Sequence, residues 1–245
     1  MKPLLSLYKR ELISYFTSPI AYIFLIIFLT LAGFFPLLVS GYLQRGEADL
    51  LPFFSWMPWL FLILAPAIGM RLWSEERRQG TIELLLTLPI LPWHAILAKF
   101  LAACSIAAIA LLLTFPMPLT ANYLGNPDNG AILTGYLGSF LLAASNLSIA
   151  SFTSILTRNQ VISFILSLTI GLFLVLAGWP PITDLLVNWA SQQLVDLIAS
   201  FSIMYHFDSL QRGILDLRDI AYFLSLIAFG LISTSVLLNS YRSNP

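Results

Sequence analysis

Three acids and three arginines crowd into one stretch of the chain. Glu75, Glu76 and Glu83 stand between Arg71 and Ile90, interleaved with Arg71, Arg77 and Arg78. A smaller group, Lys9, Arg10 and Glu11, lies near the start. Charges packed this closely suit charge-assisted recognition of a partner surface. They do not make a catalytic set. No Gly-x-x-x-x-Gly-Lys-Ser/Thr run is present to cradle a nucleotide, and no His-Glu-x-x-His to hold zinc. Neither Gly-x-Ser-x-Gly nor a serine near an intramembrane histidine offers a nucleophile–base pair. The single cysteine, Cys104, excludes an internal disulfide and a multi-cysteine metal site, and is expected to be a small packing residue. The only histidines, His94 and His206, are far apart and are expected to be surface or interfacial side chains, not ligands. No enzymatic activity and no cofactor are therefore expected of this chain itself.

The elements that carry these charges are set by composition. Of 245 residues, 58% are apolar and 10% charged, against roughly a quarter charged in soluble domains. Twelve Lys+Arg balance twelve Asp+Glu, so no basic excess points to nucleic acid. The charges are also clustered. Residues 12–44, 50–70, 100–127, 129–157, 159–183 and 220–241 contain no Asp, Glu, Lys or Arg. Each window can hold the ~20 apolar residues that a spanning helix needs. The expected fold is all-α and polytopic, one domain over 1–245. Its six transmembrane helices run roughly over 20–41, 52–72, 96–121, 132–156, 160–179 and 219–239.

Orientation follows from the basic residues. Lys2, Lys9, Arg10, Arg71, Arg77, Arg78, Lys99, Arg158 and Arg242 fall on one side of these spans, and Arg45, Arg212 and Arg218 on the other. The positive-inside rule puts both termini in the cytoplasm. The first apolar run is longer than a signal-peptide core and no convincing Ala-x-Ala site follows it, so a retained helix is expected.

Three segments do not read as spans. Residues 4–17 place Leu5, Tyr8, Leu12 and Tyr15 on one helical face and Ser6, Lys9, Arg10 and Ser14 elsewhere, as in an amphipathic helix in the headgroup layer. A positive-inside flank is the compatible plainer reading. Ser18 and Pro19 then suit the N-cap and first residue of span 1. After span 2, Gly80 can close a helix in the left-handed conformation, Thr81 can cap a new one, and Pro89 and Pro92 stop it. A short cytoplasmic helix at about 82–88 results. It is either a charged knob that transmits force from a cytoplasmic partner or a tight loop whose charges only fix topology, and composition alone favours the loop. In the long outer segment 180–218, Val187, Leu194, Ile198 and Phe201 recur at helical spacing against Asn188, Gln192 and Asp196. This suggests an amphipathic helix at the outer leaflet, either a gate or a packing element. Ser145, Asn146, Ser148, Ser151 and Thr153 of span 4 either line a path or pack helices, packing being the better reading. With no charge deep in the spans, energy for any transport must come from a partner.

The run from Pro66 to Pro89, PAIGMRLWSEERRQGTIELLLTLP, followed by Lys99-Phe100, resembles the signature of ABC-2 type transporter permeases. Lys9 to Pro19 and Tyr205 to Asp219 resemble one branch, which holds the gliding-motility-associated permease and the permease of nitrous-oxide-reductase maturation. The resemblance covers essentially the whole chain. It implies a permease half working as a homodimer in the inner membrane with two copies of a separate cytoplasmic ATPase that holds ATP and magnesium. It also implies, in this branch, a frequent accessory membrane protein with an extracytoplasmic domain. On this resemblance Glu75, Glu76, Gly80, Thr81 and Glu83 are coupling positions, and Lys9, Arg10 and Glu11 belong to an N-terminal interface with the ATPase. Spans 2 and 5 face the dimer partner. A membrane scaffold that transports nothing remains the alternative from another class.

Overall fold

The computed structural model describes residues 2–46, 48–82, 91–187 and 191–243, and among them every regular element is helical. Helix α1 is Lys2–Thr17 and α2 is Pro19–Phe34, which loosens into a π turn at Phe35–Val39 around Pro36. Two single turns, α3 (Tyr42–Arg45) and α4 (Leu51–Phe54), lead into α5 (Met57–Gly69) and α6 (Ser74–Gln79). Next come α7 (Pro92–Leu113), α8 (Pro116–Leu124), α9 (Asn129–Leu156) and α10 (Gln160–Leu176). Short helices α11 (Pro180–Val187), α12 (Gln192–Ser200) and α13 (Ile203–Gln211) precede the long α14 (Leu217–Ser243). The short helix expected at 82–88 falls almost wholly outside the described residues.

Five stretches are long and apolar enough to cross a membrane: Pro19–Val39, Leu51–Gln79, Pro92–Leu124, Asn129–Leu156 and Leu217–Tyr241. They coincide with expected spans one to four and six. Expected span five is α10, whose 17 residues fall short of the ~20 of a full crossing. Its end has a local cause. A Cβ on Gly178 would lie 2.5 Å from Ser202 Cβ and Oγ, so the glycine lets the start of α13 close against the end of α10, and Pro180 starts a new helix. Proline also starts the separate pieces within Leu51–Gln79 and Pro92–Leu124. Pro52, Pro58 and Pro116 sit in the first turns of α4, α5 and α8, where a missing N–H costs nothing.

The pieces pack around α9. Of its most apolar window 78% is buried, against 22% for Pro19–Val39 and 28% for Leu217–Tyr241, so α9 is the axis and α2 and α14 form the rim. It touches α14, α5, α10, α13 and α7. Small residues make this possible. A Cβ on Gly230 of α14 would sit 2.7 Å from the Ser148 backbone, and one on Gly69 of α5 would run into Ala150. Serines spaced three apart on α9 supply polar contacts in these seams. Ser145 Oγ donates to the Phe223 carbonyl (3.3 Å) and Ser148 Oγ to that of Leu226 (3.2 Å), while Ser151 Oγ accepts from Trp73 Nε1 (3.1 Å). These hydroxyls join helices, in keeping with the packing reading. Cys104 is buried in α7.

The outer segment is three short helices, not one amphipathic run. Of its expected apolar face, Leu194 and Phe201 are exposed, while Val195 on the same stretch is buried. Ser18 occupies the N-cap position before Pro19, but its hydroxyl donates back to the Tyr15 carbonyl at 3.1 Å instead of capping α2.

Candidate functional site

Where it is described, the charged stretch after α5 has its backbone held by α9. Ser154 Oγ accepts from the amides of Trp73 (2.9 Å) and Ser74 (3.0 Å) and donates to the Met70 carbonyl (3.0 Å). One hydroxyl thus satisfies three groups that the turn between α5 and α6 leaves open. Trp73 is fully buried and anchors the turn through its indole on Ser151. Along α6, Glu75 and Glu76 lie at the positive end of the helix and Arg77 and Arg78 at the negative end. Arg71 Nε and Nη2 both donate to Glu75 Oε2, at 3.1 and 2.9 Å. Arg77 Nη1 donates to the carbonyl of Ile155 (2.7 Å) at the end of α9, with its guanidinium 4.6 Å from the Tyr241 ring of α14. Gly80 closes α6 at φ +71°, a conformation that favours glycine. The Thr81 hydroxyl donates back to the Glu76 carbonyl at 3.5 Å. Glu83 lies outside the described residues.

The centre of the arrangement is a residue that the sequence marks as a topology charge and as the end of the family signature, but not as a coupling position. Lys99, on α7, is 5% exposed. Its Nζ stands 2.9 Å from Glu76 Oε1 and 3.2 Å from Glu11 Oε2, and 5.4 Å from the Trp73 ring. Arg10 Nη2 adds a bond to Glu11 Oε1 at 3.1 Å, so two cations face two carboxylates and the group is neutral as a whole. One ammonium therefore ties α1, α6 and α7 together, and it joins the two charged groups that are 65 residues apart along the chain between Glu11 and Glu76. The available signal was the position of Lys99 beside an apolar span, where an unpaired charge is costly and a partner must be near.

α1 lies along α7 by the same logic. The Tyr8 hydroxyl and Ser105 Oγ are 2.8 Å apart, and Tyr15 is buried. Burial, and secondarily Glu11, pushes the Tyr15 hydroxyl well above the usual phenol range, so it stays neutral. The sequence residues thus divide. Glu11 and Glu76 meet on Lys99, and Arg10 joins them. Glu75, Gly80 and Thr81 shape the exposed tip. Lys9 is exposed on α1 and enters no described part of the cluster.

An all-helical bundle with several membrane-length helices and a charged, helix-braced tip is the setting for comparison with known proteins. The family model of the ABC-2 family transporter proteins matches residues 6–240. The chain belongs to that family. No curated protein shows a match to it. As an ABC-2 family transporter protein it is a multi-pass membrane protein and a membrane component of an ABC exporter, a class that implies pairing with an ABC ATPase. The charged platform of α1, α6 and α7 lies within the region that defines the family.

Proposed function

We propose that this chain is the permease subunit of an ABC-2 exporter, and that the Lys99-centred platform receives the motion of a cytoplasmic ATPase. In this reading two copies form the membrane path, α10 completes a set of six spans, and both termini face the cytoplasm of a cell whose inner membrane holds the protein. The chain contributes no catalytic group, and ATP with its magnesium is held by the partner. Glu75, Glu76, Gly80, Thr81 and Glu83 make the ATPase contact together with Lys9, Arg10 and Glu11. The gliding-type branch supplies the accessory extracytoplasmic partner. Different contacts with the open and closed ATPase would supply the coupling energy.

The observation that carries this reading is Lys99 joining Glu11 and Glu76 in a chain of this family. A push on either α1 or α6 is then felt by α7 through one buried ammonium. The test is the complex reconstituted in vesicles. Glu83→Lys is expected to assemble in the membrane normally and to lose stimulation of the ATPase. Normal assembly with unaltered stimulation would remove the coupling assignment. Stimulation without cargo movement in the unaltered complex would favour the scaffold.

A further inference from the structure

The end of the bundle away from α6 holds a second polar cluster that the reading above does not use. His206 of α13 stands between two acceptors. Its Nδ1 is 2.7 Å from Asp219 Oδ1 on the first turn of α14, and its Nε2 is 2.9 Å from the Ser200 carbonyl at the end of α12. The Tyr222 ring stacks on the imidazole at 4.0 Å, and the Tyr222 hydroxyl donates to the Phe201 carbonyl at 2.6 Å. The two side chains are largely enclosed, 12% exposed for His206 and 7% for Asp219. These contacts fasten α12 and α13 to the start of α14. His206, expected as a surface or interfacial side chain, stands at a helix interface.

Among the described contacts of the imidazole, Asp219 is the one charged group, while Arg218 and Asp216 flank it on α14 and in the loop before it and Asp196 lies on α12. On α13 itself Tyr205 meets the ring edge-on at 5.4 Å, and Asp208 is taken by Arg212 at 2.9 Å. From α14 come Asp219 and Tyr222, and α12 presents the Ser200 carbonyl. α9 and α10, which also pack on α13, contain no Asp, Glu, Lys or Arg.

The proton count follows from the chemistry of the partners. A carbonyl oxygen only accepts hydrogen bonds, and so does an ionised carboxylate. Both contacts of His206 are therefore made only when the pair holds one proton more than a neutral ring and an ionised acid. That proton sits on the ring, giving imidazolium against carboxylate, or on Asp219, whose O–H then donates to Nδ1 while Nε2–H donates to Ser200. Once it leaves, one ring nitrogen turns a lone pair toward an acceptor and that contact is lost. We propose that His206 and Asp219 form a proton-operated clasp, which holds α12 and α13 against α14 when protonated and releases them when the proton is lost. Histidine is the side chain whose charge changes across the physiological range. The clasp rests on geometry and stands apart from the assignment of the Lys99 platform.

The test uses the full-length protein in lipid nanodiscs, where both faces meet the buffer, in a Cys104→Ala background. Val195 on α12 is 4% exposed and Tyr123 on α8 is 91% exposed. Maleimide labelling of Val195→Cys, divided by that of Tyr123→Cys, removes the pH dependence common to both thiols, and the Asp219→Asn and His206→Ala proteins report what differs between them. This ratio is expected to rise about tenfold between pH ~5 and ~9, the equivalent of one lost hydrogen bond. Asp219→Asn is expected to keep the ratio low at both values, because its carboxamide donates to Nδ1 and leaves Nε2–H for Ser200, which satisfies a neutral ring. His206→Ala is expected to give a high ratio at both. A flat ratio in the unaltered clasp, or a step that persists in Asp219→Asn or His206→Ala, overturns the proposal.

Discussion

Lys99 carries more of the architecture than its type suggests. Both carboxylates lie within 3.2 Å of its Nζ, so removing the ammonium leaves two acids facing one another in a mostly dry setting. Lys99→Met is therefore expected to cost about 3 kcal/mol, the low end for breaking a buried pair because both acids keep an edge in water. A lower thermal unfolding midpoint of the purified protein is the readout. Adding Glu11→Gln and Glu76→Gln to Lys99→Met should recover much of that loss, since no buried charge is then left unpaired and Arg10 is exposed to water. An unchanged midpoint in Lys99→Met alone would show that the ammonium contributes nothing. At this scale the sequence showed the charged groups but not their meeting. Composition tells that Glu76 and Lys99 are charged, whereas their pairing with Glu11 depends on α1 folding back along α7. The same holds for His206 and Asp219, which a loop and the start of α14 bring together.

Helix seams decide the next level. Gly230 lets α14 approach α9 until its missing Cβ would stand 2.7 Å from the Ser148 carbonyl carbon and oxygen. The backbone cannot move aside as a flexible side chain can. Gly230→Ala is expected to cost about 1–3 kcal/mol by forcing the helices apart, and to strain the Ser148–Leu226 bond. Gly33→Ala, where nothing lies within 4 Å, is the control and should leave stability unchanged or slightly raised. Equal unfolding midpoints for the two variants would argue against the close seam. The existence of these helices was legible in the charge-free windows. Their interruptions were not, because a spanning window of apolar residues reads the same whether it holds one helix or two joined at Pro116. The outer segment failed for a related reason. An apolar period of 3.6 over Val187 to Phe201 runs across Ser191, whose backbone is extended, and periodicity does not register a change of axis.

The whole molecule turns on α10. Its 17 residues could cross only if the bilayer thins or its flanks contribute, and it shares its ends with α9 on one side and α13 on the other. If it spans, Arg158→Cys and Ser191→Cys, both at exposed positions, are labelled by an impermeant reagent from opposite faces of oriented vesicles. Labelling from one face would overturn α10 as a crossing, and with it the placement of Ile155 and Asp219 at opposite ends of the bundle. The same experiment orients the Lys99 platform and the His206 clasp, which lie at opposite ends of α14. Arg77 meets Tyr241 at one end, and Asp219 meets His206 at the other.

Sequence alone determined the solvent of this protein. Two dozen charges gathered into a few clusters leave stretches that only a bilayer can accommodate, and in a bilayer only helices satisfy their own backbone. It also located the charged tip after α5, because acids, a glycine and a threonine at that spacing end one helix and invite another. Tertiary structure alone decided which charges meet. Lys99, Glu11 and Glu76, like His206 and Asp219, are paired by the stacking of α6, α7, α13 and α14 on α9 and of α1 on α7, and the seams on α9 depend on small residues whose significance appears only when two backbones come within touching distance.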